Sequence, residues 1–438
     1  MRGVLFGFVA AFSLCAQTPA DDFHVYRDPP RIFLTAQRQR LLERERERDS
    51  LRWGSLEAAL SSVSETTTPD LPEPGFAWGL YYRITHQDPA GRKAIAWALS
   101  PSGIDLRQLA LVFDWCAPLL SPAEANQLAE KIQRSLAQPA NNLKEQSARA
   151  LAAVAIADRL PDAADGILSE IVQWWRKQPP ARRDEFYPLF ELLHAIRDNT
   201  RAELRESSPD YFKNLPLDYI AGFYPASFRG PENDVRIPVF TGPGEPDITA
   251  AVRARAAGLA MVALDTNAVN YQFAQGLLMN DRFVMRDKLG APYEFLWSNP
   301  YQPGLAYQTL PLVFHDASTG HVFARTSWDE DATWIGYFDG ALQLFRDGGV
   351  QTVRPGTPIA PVRIGEAVVT VPADATAVKV RLEGQQLFVI GLTPQAEFAV
   401  EIDDQELDFL ESDVGGTLVV SSAPNTDAGV RIVRRGMR

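Results

Sequence analysis

The sequence predicts an incomplete α/α toroid of helical hairpins followed by an antiparallel β-sandwich. Two observations carry that prediction. Residues 32–285 hold helical signals almost without interruption, and over 310–436 the apolar period becomes two. Helices in one run and strands in the next, without βαβ alternation, pack as separate layers. The expected organisation is a signal peptide over 1–16, a helical domain over 17–300 and a sandwich over 301–438.

The opening segment fits secretion or export to a periplasm. Arg2 supplies a positive start, Val4–Leu14 an apolar stretch too short to span a bilayer, and Cys15-Ala16 the small residues before a cleavage point. Beyond that segment only Cys116 remains, so an intrachain disulfide is not expected. The net charge of −12 argues against a nucleic-acid partner, and any site for uronate or sulfate has to be locally basic. No later stretch has the length of a transmembrane helix.

Pro30–Thr35 reads as an extended lead into a helix capped by Thr35 and running through the charge-dense Arg38–Arg52 stretch. That charge run reads as a solvated face with intrahelical ion pairs. Helices are expected at Phe76–His86, Gly91–Leu99, Asp105–Leu119 and Pro122–Ala137. Ser121, Pro122 and Glu124 form a capping box at the start of the last. Others follow at Leu143–Leu160, Asp165–Lys177, Arg183–Asn199, Ile248–Thr266 and Asn267–Asn280. Residues 207–247, with seven Pro, read as a long functional loop. Nine short strands from His321 to Val433 are separated by turns such as Asp339-Gly340 and Asp347-Gly348-Gly349.

Several segments resemble the heparinase II/III-type polysaccharide lyases and their alginate-lyase branch. They are Pro30–Thr35, Trp78–Leu80 through Leu99, and Gly320–Trp328 with Asp331–Trp334. The most specific is Asp105–Trp115 followed by Leu119–Glu124. The resemblance implies β-elimination on an acidic, uronate-containing glycan, and the reaction is expected to be independent of metal and cofactor because the sandwich lacks histidines after His321. Such chemistry needs a group that neutralises the carboxylate, a base for the C5 proton and an acid for the leaving oxygen.

Ala140-Asn141-Asn142-Leu143 falls where the alginate-lyase branch carries Asn-Asn-His, which assigns Asn142 to the carboxylate, with Asn141 beside it and Leu143 in place of the histidine. An Asn ahead of a helix also caps it, and the two roles are compatible. Tyr187 and His194, seven residues apart on one helical face, form a candidate acid/base pair. In the long loop Tyr219 and Tyr224 are candidate acids, and Arg229 a bidentate partner for a carboxylate. Trp297, in what reads as a loop between the domains, and Tyr301 are stacking platforms; His321 flanks the junction. The sugar is expected at the seam between the two halves.

No histidine follows His321, so a Zn²⁺ site in the sandwich is not expected. That gap also supports a second reading, a catalytically inactive glycan-binding or cell-envelope scaffold relative. Paired carboxylates of a hydrolase have no recognisable signature, and Walker, GxSxG, HExxH, CxxC and dinucleotide-binding motifs are all missing.

Overall fold

The computed structural model describes residues 23–61, 71–178, 181–229, 234–240, 248–280, 284–354, 357–365, 367–372, 377–383, 385–403, 406–421 and 427–434. The expected signal segment 1–16 lies outside them. The described helices are α1 (Ala36–Glu47), α2 (Leu51–Ser61), α3 (Pro74–Thr85), α4 (Asp88–Leu99), α5 (Leu106–Trp115), α6 (Pro122–Leu136) and α7 (Leu143–Ile156). They continue with α8 (Pro161–Trp175), α9 (Phe186–Asn199), α10 (Pro209–Ala221), α11 (Ile248–Leu264), α12 (Val269–Asn280) and α13 (Gly290–Trp297).

Odd-numbered helices make an inner row. α3 packs on α5, α5 on α7, α7 on α9, α9 on α11 and α11 on α13; α13 then returns to α2 and, more lightly, to α3. α4, α6, α8 and α12 lie against that row from outside. Burial explains the division: α7 carries an Ala-rich stretch, Ala150–Ala155, whose small side chains are all buried and let neighbours approach from several sides. Two segments distant in sequence anchor this packing. The backbone N–H groups of Arg31 and Ile32 donate to the buried Asp114 carboxylate at 2.8–3.0 Å, and Trp115 Nε1 donates to Ile32 O at 2.9 Å. Burial nevertheless raises the Asp114 pKa to about 6.

Local chemistry sets the boundaries. Thr35 caps α1 through Arg38 N, and Ser121 and Glu124 form the expected capping box on α6. The Arg38–Arg52 stretch is two helices rather than one, because Asp49 takes a left-handed φ of 48° between them. Residues 207–247 are not a long loop. They hold α10 and a hairpin of β1 (Phe223–Arg229) and β2 (Asp234–Pro238).

The strand half starts with a five-stranded antiparallel meander: β3 (Val313–Asp316), β4 (His321–Arg325), β5 (Trp334–Phe338), β6 (Ala341–Arg346) and β7 (Gly349–Val353). A second sheet is built from β8 (Ile359–Ile364), β9 (Ala367–Val371), β11 (Gln386–Val389) and β14 (Leu418–Ser421), in which β9 and β11 pair in parallel. A third joins β10 (Ala377–Glu383), β12 (Glu397–Ile402), β13 (Glu406–Glu411) and β15 (Asp427–Arg434).

These sheets stack as three layers. In β9, Ala367, Val369 and Val371 face the first sheet while Val368 joins the core shared with the third, which is why the strand is apolar on both faces. The other face of the first sheet presents Phe323, Trp334, Phe338 and Phe345 to the helices, in one continuous core with them. Tyr224 from β1 closes this packing, with its ring 5.4 Å from Trp334 and 6.0 Å from Phe345. Around Tyr224 the seam expected to hold sugar is therefore filled with aromatic side chains. No described helix is long and apolar enough to cross a membrane.

Candidate functional site

A cavity of about 890 Å³ is set into the helical half, between the first turns of α1, the C-terminal ends of α9 and α11, and the chain that follows α13. Its walls carry Arg27, Arg38, Arg40, Arg44 and Arg197 against a single carboxylate, Asp198. Five cations against one anion make this a basic cleft on a chain whose net charge is −12. Thr35, Gln37, Thr266, Asn299 and Gln302 add hydroxyl and amide groups.

Helix ends explain part of this charge. Arg38 Nη1 donates to Leu296 O at 2.9 Å and Trp297 O at 3.3 Å, at the end of α13, and Arg197 donates to Leu264 O at the end of α11. Carbonyls left unpaired at a helix C-terminus, with the negative end of its dipole, favour a cation there. Burial lowers the Arg38 pKa to about 10, partly offset by Asp198, so the guanidinium stays charged at neutral pH. Arg40 and Arg44 are different: both are exposed, and among the described residues no carboxylate pairs with either. The ion pairs expected within α1 do not form among the described residues, so its charge run is not self-neutralised.

His194 sits in the cleft wall with its ring 4.6 Å from that of Trp297. Its Nε2 is 2.9 Å from Ala260 O, and its Nδ1 lies 3.5 Å from Arg197 Nη2 and 3.7 Å from Asp198 Oδ2. Burial lowers the His194 pKa, against the opposing pull of Asp198. Nε2–H donates to the Ala260 carbonyl, and Nδ1 is shared between Arg197 and Asp198. For Asp198, burial alone would raise the pKa, but His194 and Arg197 outweigh it and bring the carboxyl to about 2. Trp297, expected in a loop, ends α13 and is 1% exposed. Arg38 stacks on its ring at 4.8 Å, so it supports the cleft rather than offering a free face. Tyr301 is the accessible aromatic, 41% exposed, with Arg44 and Arg48 5.5 and 5.2 Å from its ring centre.

The other residues singled out from the sequence lie apart from this cleft. Asn142 Oδ1 accepts from Glu145 N at 2.9 Å as the cap of α7, while Asn141 N donates to the Glu145 carboxylate at 2.7 Å; both are exposed. Tyr187 is buried behind Trp297, its hydroxyl accepting from Trp297 Nε1 at 3.2 Å and Arg107 Nη2 at 3.3 Å. It belongs to a packed network in which Arg107 bridges Glu73 and Glu191, at 2.9 and 2.7 Å, and Tyr293 donates to Glu73. Burial raises the Tyr187 pKa well above the usual phenol range. Tyr219 donates to Ala254 O at 3.1 Å, and Tyr224 to Gln343 Oε1 at 2.7 Å, both buried at the seam. Arg229 closes β1, its backbone opposite Asp234 in the hairpin register.

His321 belongs to a second charged cluster. Its Nδ1 meets Asp218 Oδ1 at 2.8 Å and its Nε2 lies 3.7 Å from Asp339 Oδ1, while Arg183 pairs with Asp218 from the turn ahead of α9. Burial opposes the charged imidazole, but Asp218 and Asp339 win and lift its pKa to about 9. About 20 Å of helix separates Arg183 from Arg197, so the two clusters occupy opposite ends of α9. Sequence reasoning missed Arg27, Arg38, Arg40, Arg44, Arg197 and Asp198. The available signal was the i, i+4 spacing of Arg40, Arg44 and Arg48, which nearby glutamates disguised. Among the described residues no group of three or more His, Cys, Asp and Glu is placed to hold a metal ion.

No protein-family model and no curated protein matches the chain. Among solved structures, heparan sulfate lyase HepC from Pedobacter heparinus is similar to it at 11% sequence identity, over 82% of this chain and 75% of that one, with a TM-score of 0.36. A likeness that loose carries no residue-by-residue correspondence.

Proposed function

We propose that this protein binds an acidic oligosaccharide in the arginine-lined cleft of its helical half and does not cleave it by β-elimination. The observation that supports this reading is the set of five guanidiniums against one carboxylate in the described lining of a cavity of about 890 Å³. That volume is in the range of ligand clefts. Planar guanidiniums match carboxylate and sulfate groups bidentately. Thr35, Gln37, Asn299 and Gln302 suit sugar hydroxyls, and Tyr301 stands exposed at the rim with Arg44 and Arg48 against its ring.

β-Elimination asks for three groups around one C5 carbon. Asn142 stands at the start of α7, Tyr187 behind Trp297, and Tyr219 and Tyr224 at the seam, while His194 spends both ring nitrogens on protein partners. These five do not converge on one substrate atom. The test is to titrate the full chain with heparin, heparan sulfate, alginate, hyaluronan and pectin and to follow absorbance of the unsaturated uronate product. Binding without new absorbance is the expected result. New absorbance that disappears in Asn142→Ala would replace this reading with the lyase reading, and failure to bind all five glycans would remove the glycan.

A further inference from the structure

Resting on that reading of the cleft, we infer that the ligand is a linear polyanionic glycan, whose chain leaves the cleft along the exposed face of α1 over a ladder formed by Arg40, Arg44 and Arg48. These residues stand at i, i+4 and i+8, one helical turn apart, and span about 12 Å along the axis. All three are exposed, and among the described residues none forms an ion pair. Arg40 and Arg44 line the cavity, while Arg48 lies beyond its edge. Tyr301 bridges the boundary, because its ring lies under both Arg44 and Arg48.

Exposed arginines on a helix normally gather a carboxylate three or four residues away, and α1 contains Glu43 and Glu47 at suitable spacing. Glu43 instead accepts from Gln39 at 3.0 Å, and Glu47 pairs with none of the three. The row therefore presents uncompensated charge on a protein that is acidic overall, and it continues the charge of the cleft without a break. One anion would be satisfied at the cleft mouth by Arg40 and Arg44, since Arg38 and Arg197 already donate to carbonyls at helix ends. A repeated turn-by-turn spacing beyond the rim suits an anion that itself repeats, once per sugar or nearly so. A membrane or nucleic acid would also meet such a row, but the recessed cleft at its inner end favours a thin, hydroxylated chain that can enter.

The test uses oligouronates of defined length, from disaccharide to octasaccharide, titrated calorimetrically into the full chain and into Arg48→Ala and Arg48→Glu. Affinity should rise about tenfold from disaccharide to octasaccharide, the worth of one well-placed charged contact. Arg48→Ala should remove most of that gain, and Arg48→Glu all of it, with the disaccharide affinity unchanged in both. Circular dichroism of the variants confirms that α1 is intact. Equal affinity for all lengths overturns the ladder and leaves the cleft reading standing. Absence of binding at every length overturns both. Tighter binding of a single-stranded oligonucleotide or anionic vesicles than of the octasaccharide overturns the glycan assignment of the ladder.

Discussion

Ahead of α9, Arg183 and His321 close on Asp218 and Asp339; at the far end of the same helix, Arg197 and four other arginines face Asp198 alone. Both clusters hold a histidine, aspartates and arginines, and only the charge accounting separates them. In the first, two cations meet two anions and the side chains of Arg183, Asp218 and His321 are all under 10% exposed. Buried charges so balanced serve to join elements: α10 supplies Asp218, β4 supplies His321, and Arg183 also lies 5.3 Å from the Phe323 ring. In the second, Arg27, Arg38 and Arg197 donate to backbone carbonyls, which leave their charge unneutralised, while Arg40 and Arg44 are exposed and pair with no carboxylate among the described residues. Balance marks a joint between domains, and imbalance marks a place for a ligand.

The comparison breaks most visibly at the joint. Asp218→Ala leaves Arg183 and His321 buried without their shared carboxylate, which should cost about 3–5 kcal/mol in a denaturant titration. Oligosaccharide affinity in the same variant should not change, because the cleft lies at the other end of α9; a matching loss of affinity would show that the two clusters act as one. A pH series tests the same joint more gently. The His321 pKa is raised from 6.5 to about 9, so its contribution to stability is complete below pH 6.5 and is lost as pH climbs toward 9. Unfolding midpoints should fall across that window, and His321→Gln should flatten the fall.

Two smaller effects sharpen the contrast. Arg40→Glu reverses an unpaired charge in the cleft and should weaken an acidic oligosaccharide about tenfold without lowering the melting temperature. A loss of stability instead would mean that Arg40 is held by the protein. Asn142→Ala should cost about 1 kcal/mol by removing the cap of α7, with ligand affinity intact. An affinity change there would place Asn142 against the ligand.

The helix-then-strand order was legible because it rests on apolar period alone, and so were the caps at Thr35 and Ser121. β3, β7, β8 and β13 were not foreseen, and all four lie at sheet edges. An edge strand pairs on one side only, so it tolerates what a central strand does not: Pro361 in β8 beside a register shift, and acidic Glu406, Asp408 and Glu411 in β13. Trp297 was misplaced because Gly290 and Pro292 read as loop, whereas glycine opens α13 and proline sits in its first turn, where no N–H is needed. The cleft was hidden for a different reason. Its arginines come from three chain segments, the lead into α1, α1 itself and the end of α9, and only the fold shows that the glutamates beside them in α1 are not their partners.

In the proposed binding, charge rather than shape alone recruits the ligand to the cleft. A calorimetric titration of the full chain with an oligouronate and with its carboxyl-reduced, neutral counterpart of equal length tests it directly. The acidic form should bind, more weakly as salt is raised, and the neutral form should bind at least tenfold less tightly. Equal affinity for the two, or no affinity for the acidic form, would contradict the claim.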